Sequence, residues 1–125
     1  MKDILSPLSD LLVTISASAR LEILLMLGSG EACVCYLEAR LGYRQAYISQ
    51  HLMALRQAGL IDSRREGKYI FYHLSKPELL ELIQNAANLA GVILPKIEII
   101  SPQAQCAYSA ELIVPVIENI QERHS

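Results

Sequence analysis

Residues 44–74 read RQAYISQHLMALRQAGLIDSRREGKYIFYHL, and the hydrophobic period changes inside that stretch. Ile48, Leu52 and Leu55 recur at helical spacing and predict a helix with one apolar stripe, ended by Gly59. From Leu60 onward the period drops to that of a strand. Leu60 to Arg65 and Tyr69 to Leu74 alternate, with Ile70, Tyr72 and Leu74 on one face. Glu66-Gly67 between them suits a tight hairpin, because glycine tolerates the positive φ such turns need. A helix running into a hairpin is therefore the centre of the fold.

Upstream, Val34, Leu37 and Leu41 predict a short helix ended by Gly42. Before it, Leu21, Leu24, Leu25 and Leu27 predict an apolar helix closed by Gly28-Ser29-Gly30, with Ser18 placed to cap it. Leu5, Leu8, Leu12 and Ile15 predict the first helix, its stripe widened by Leu11. Downstream, Pro77 opens a helix from about Glu78 to about Ala90. It is apolar on more than one side, which predicts burial from two directions. Gly91 to Gln105 has no clear period and is interrupted by Pro95 and Pro102. A last helix is expected from about Ser109 to about Gln121, where Pro115 implies a kink or a later start.

The order is four helices, a hairpin and two helices. The third and fourth helices, joined by a glycine turn, form a helix-turn-helix over 33–60, and the hairpin over 60–74 is its wing. The fold class is mainly α with a β-hairpin: a winged helix-turn-helix, expected as one domain over 1–125. The segments 1–17 and 91–125 are assigned to dimerisation, because their apolar faces exceed what one small core takes up. Hydrophobic residues make up 52% of the 125 residues, which excludes disorder for most of the chain.

Formal net charge is -2, from 11 Lys and Arg against 13 Asp and Glu. Between Arg40 and Lys76, however, seven bases meet two acids, a local charge of +5. This basic island coincides with the helix-turn-helix and wing. Arg44, Gln45 and Ser49 sit at the N-terminal end of the fourth helix, where a recognition helix enters the major groove. Tyr47 and Gln50 lie on its outer side, and the Gln50 amide can read adenine. His51 can reach a base or a phosphate, and Arg56 is placed for the phosphate backbone. Arg64, Arg65 and Lys68 flank the wing tip. The expected partner is double-stranded operator DNA, read by a homodimer.

No secretory signal or membrane segment is apparent, so the expected location is cytoplasmic. The three cysteines, Cys33, Cys35 and Cys106, are then thiols or ligands rather than a structural disulfide framework. On a regular helix Cys33 and Cys35 would stand about 200° apart, so joint chelation requires the first turn of the third helix to distort. That spacing couples a thiol event to the recognition helix. Nothing resembles a nucleophile–base pair, a phosphate-cradling glycine loop or a paired carboxylate site, so an enzyme is not expected.

Ala32-Cys33-Val34-Cys35-Tyr36-Leu37 resembles the thiol motif of the ArsR/SmtB metalloregulators. Ile48-Ser49-Gln50-His51-Leu52 with Leu55 to Leu60 resembles their recognition helix, and Arg64 to Tyr72 resembles their wing. The resemblance covers roughly Leu8 to Leu82. It implies a homodimeric repressor that leaves operator DNA on binding an effector. It also implies Arg44, Gln45, Tyr47, Ser49, Gln50 and His51 as DNA contacts. The implied effector is trivalent arsenic or antimony, held by cysteine thiolates. Arsenic-sensing members with this site carry a third cysteine where this chain has Glu38. Cys106, Glu38 or water is left to complete the site, or the pair takes a dithiol-seeking species. A thiol-based redox or persulfide sensor of the same fold is the alternative, as is a sensor of cadmium, lead or zinc. A winged helix used only for protein contacts is a further reading. The fifth-helix zinc site of some relatives has no counterpart, because Glu78 to Ala90 contains no His or Asp.

Overall fold

The computed structural model describes residues 1–28 and 30–111, and of Lys2 and residues 107–111 the backbone alone. Helix α1 (Lys2–Ile15) leads into α2 (Ser18–Leu27). Ile23, Leu24, Met26 and Leu27 of α2 are all buried, so α2 is the helix enclosed on several sides. The expected serine cap is not formed. Extended Ala17 occupies the cap position, and Ser18 is already helical, with no side-chain capping bond.

A strand missed by the sequence reading follows: β1 (Ala32–Cys33), directly before α3 (Val34–Leu41). Gly42 ends α3 in the left-handed conformation at φ 77°, its N–H donating to Glu38 O at 2.9 Å. Three residues later α4 (Gln45–Gln57) begins. It buries Ile48, Leu52 and Leu55, the predicted stripe, each contributing roughly 1.5–3 kcal/mol by burial.

Strands β2 (Ile61–Glu66) and β3 (Tyr69–Leu74) pair antiparallel from Ile61–Leu74 to Glu66–Tyr69. The turn between them is therefore Gly67-Lys68, one residue later than expected, with Gly67 at φ 61°. β1 adds to the free side of β3, pairing Cys33 with Phe71 and Ala32 with Tyr72, so the wing is three-stranded in the order β1-β3-β2. Phe71 is the buried residue of β3, while Ile70, on the face that the alternation picks out, is exposed.

Helix α5 (Leu79–Ala90) buries only Leu79, Ile83 and Ala87. Leu82 and Leu89 on its other sides are exposed, so within the chain it is covered from one direction, not two. Residues 92–101 have no helix or strand, but Leu94, Ile97 and Ile99 pack on the core. Pro102 then opens α6 (Pro102–Glu111). A proline at the first helical position loses no hydrogen bond there. The helix thus starts well before Ser109, and the expected stretch through Pro115 to Gln121 lies outside the described residues.

Candidate nucleic-acid interface and thiol site

The N-terminus of α4 presents the predicted reading face. Arg44 is its cap residue in extended conformation, and its side chain makes no capping bond. The first N–H groups of a helix lack helical partners and favour an anion. Arg44, Gln45, Tyr47 and Gln50 are exposed and Ser49 is half-buried. Tyr47 is propped from behind, 5.1 Å from the Tyr43 ring and 4.5 Å edge-on to His51. Tyr43 in turn donates to Glu22 at 2.6 Å.

His51 is engaged inward. Its Nδ1 accepts from Arg20 Nε at 3.0 Å, and Arg20 also donates to Thr14 O at 2.9 Å. Its Nε2 is buried without a hydrogen-bond partner among the described residues. Burial first, then the Arg20 charge, pushes the imidazole pKa down, which keeps the ring neutral and able to accept from a cation. Arg56 is exposed and stands 4.0 Å from Asp62, a pairing that solvent screens to little.

The wing cations divide. Arg64 Nε donates to both Glu31 oxygens, at 2.9 and 2.7 Å, and its NH1 donates to Glu66 at 3.3 Å. Its guanidinium also lies 5.0 Å from the Phe71 ring centroid. That hydrogen bond is the main reason the Glu31 carboxyl sits below the usual range. Arg65 donates to Gly67 O at 3.2 Å, and the Lys68 ammonium lies 5.5 Å from the Tyr69 ring; both side chains are exposed at the tip.

The cysteines do not lie on one regular helix. Cys33 ends β1 and caps α3 in extended conformation, only 2% exposed, whereas Cys35 is exposed in the first helical turn. Angular separation around a helix axis therefore does not govern this pair. Cys33 is instead in register with Phe71 of the wing. Burial pushes the Cys33 thiol pKa up, the Tyr36 N–H opposes this, and charge on Cys35 or Cys106 raises it further. Cys106, half-buried on α6, comes from a distant part of the chain and follows Gln105, whose side chain accepts the Cys33 N–H at 3.0 Å. The Tyr69 phenol joins them: burial raises its pKa first, then Cys106, as a charge and as a hydrogen-bond partner. Glu38, one turn beyond Cys35, has its carboxyl raised by burial. Among the described residues, no three His, Cys, Asp or Glu side chains stand ready-made around one ion.

Three residues at this site escaped the sequence reading. Glu31 holds Arg64, the Tyr69 phenol has its pKa raised in part by Cys106, and Gln105 bonds to the Cys33 backbone at 3.0 Å. Each partnership spans more than thirty positions, beyond any local signal.

A helix-turn-helix with an exposed polar reading face and a basic-tipped, three-stranded wing defines the winged helix-turn-helix class of DNA-binding proteins. Residues 17–63 match the model of the bacterial regulatory protein, arsR family. A biofilm growth-associated repressor of Agrobacterium fabrum is 46% identical over 74 residues, 59% of this chain and 63% of that one. The arsenic resistance transcriptional regulator ArsR1 of Pseudomonas putida is 41% identical over 65% of this chain and 61% of its own. The chain thus spans just under two thirds of the length of these two relatives. The structure of HlyU from Vibrio cholerae superposes with a TM-score of 0.63 at 36% identity, covering 71% of this chain and 97% of that one. The chain belongs to the arsR family of bacterial regulatory proteins. These relatives are regulators of transcription, not enzymes. Among the described residues no helix is long and apolar enough to cross a membrane.

Proposed function

We propose that the chain is a homodimeric transcriptional repressor that releases its operator when a thiophilic species engages Cys33 and Cys106. The carrying observation is that α6 packs on β1 and that Gln105, the residue before Cys106, accepts the N–H of buried Cys33, on a strand that is part of the wing. The leading effector is arsenite or antimonite. The chemistry of the donors fits it, since thiolates select soft ions. Exposed Cys35 supplies the third sulfur once the first turn of α3 yields. The name of the P. putida relative supports an arsenic effector, and that of the A. fabrum relative supports repression.

A second reading keeps the same pair but makes it oxidisable, favoured by the absence of a formed three-ligand cluster among the described residues. The two thiols would give two electrons and two protons to a peroxide, forming one disulfide and releasing water and an alcohol.

A release assay on operator DNA separates the readings. Arsenite or antimonite is expected to dissociate the complex under reducing conditions. Release by peroxide alone would favour the disulfide, and release by neither would sink the thiol-sensor reading.

In the DNA complex, Arg44, Gln45, Tyr47, Ser49 and Gln50 face the major groove, with Arg56 on the backbone. His51 supports Tyr47 from beneath. Arg65 and Lys68 meet phosphates, whereas Arg64 serves chiefly to order the wing. Arg65→Ala should therefore lower the slope of log affinity against log salt by about two, one phosphate contact being lost in each protomer. Arg64→Ala should leave the slope nearly unchanged while lowering the melting temperature. Equal slope losses in a salt titration would contradict this division.

A further inference from the structure

Gln105 is a fully buried polar residue in a core otherwise built from apolar side chains among the described residues. Its Oε1 accepts the Cys33 N–H at 3.0 Å. Its Nε2 donates to Glu31 O at 2.6 Å and to Ile100 O at 3.0 Å. β1 is an edge strand, bonded to β3 on one side only. The Glu31 carbonyl and the Cys33 N–H belong to its other edge, and an edge buried without partners is unfavourable. The Gln105 carboxamide therefore does what a neighbouring strand would do, accepting one bond and donating the next. The following residue is Cys106, so the same bonds set where its sulfur can lie.

We propose that Gln105 is the positioning residue of the thiol site: its carboxamide latches α6 to the outer edge of β1 and so holds Cys106 beside Cys33. This rests on reading those thiols as the sensor. The latch also reaches the wing. The Glu31 carbonyl it holds belongs to the residue whose carboxylate holds Arg64. Rearrangement at the thiols thus has a bonded route to the wing that bypasses the recognition helix.

The test uses the full chain carrying Cys35→Ser, reduced, without effector. Dibromobimane bridges two nearby thiols, and its rate of forming the intramolecular Cys33–Cys106 product is divided by the rate of single-thiol labelling with monobromobimane. Gln105→Leu is expected to lower this ratio about tenfold or more, as the second alkylation loses its high effective concentration. A single cooperative melting transition should be retained, which a general loss of structure would not allow. An unchanged ratio overturns the proposal.

Should Gln105→Leu fail to fold, Gln105→Glu carries the test. A protonated acid can still accept from Cys33 N–H and donate to one carbonyl, whereas a carboxylate cannot donate. The normalised ratio is expected to fall as pH rises through the range of that carboxyl, and a flat profile overturns the proposal. Bridging needs no effector. If arsenite and peroxide both fail to release DNA, the sensor reading falls, while the ratio still reports on Gln105.

Discussion

Replacing Leu8 and Leu12 together by glutamate is expected to leave a folded monomer that binds its operator at least about a hundredfold more weakly. Leu8 and Leu12 are 51% and 46% exposed within the chain, and with Leu5 they line one side of α1. Leu89 and Ile93, at the end of α5 and just beyond it, are more than nine-tenths exposed. An apolar area of this kind marks a contact surface. In a two-fold interface each substitution acts twice. With about half of each side chain left to bury, four of them at roughly 0.75–1.5 kcal/mol apiece come to about 3–6 kcal/mol, before the cost of burying charge. Little of that falls on the protomer core, because these side chains are largely outside it. Affinity falls because one winged helix reads one half-site, and a monomer loses the tethering of the second. Sedimentation and operator titration check both halves of the claim. A variant that remains dimeric with parental affinity would place the interface elsewhere.

Cys33→Ser is expected to keep operator binding and lose release. Couplings of this kind change affinity about 5- to 150-fold, and without the sulfur that factor should collapse to about one. Serine is close to cysteine in shape, so β1 retains its pairing with β3. Its oxygen, however, is a hard and poor ligand for a soft ion and cannot form a disulfide. Cys35→Ser is the informative contrast. With three sulfurs on arsenite it also loses the response, whereas with a Cys33–Cys106 disulfide it keeps it. Operator titrations with and without effector measure each factor. A parental response in Cys33→Ser would remove this residue from the sensor.

The recognition helix and wing were legible in the sequence because each carries its own period over a dozen or fewer residues. Ile48, Leu52 and Leu55 repeat with the helix, and residues 61–66 and 69–74 lie where alternation placed the strands, within a residue. β1 was not legible. A two-residue strand has no period, and Val34, Leu37 and Leu41 immediately after it read as a helix that absorbs Cys33. The start of α6 was hidden because Pro102 can end one element or open the next, and only the packing of α6 against β1 and α3 decides. Arg64 read as a free wing cation because Glu31 lies 33 residues away. Gln105 lies at the end of a stretch without a period and carried no signal of burial, since its demand for burial comes from an edge strand that was itself invisible.

The pairing of Cys33 with Phe71 has a consequence for synthesis. β1 finds its strand partner only when a segment about forty residues later in the chain has been made. A nascent polypeptide ending within α4 already holds Cys33 and Cys35, yet the strand that orders Cys33 has not formed. Long-range pairing of this kind closes late. Newly made chains would therefore expose Cys33 to solvent for the time taken to translate and fold the wing. During that interval the thiol can be alkylated or metallated without any regulatory outcome. Until β1 and β3 have paired, the strand that orders Cys33 is missing from the fold.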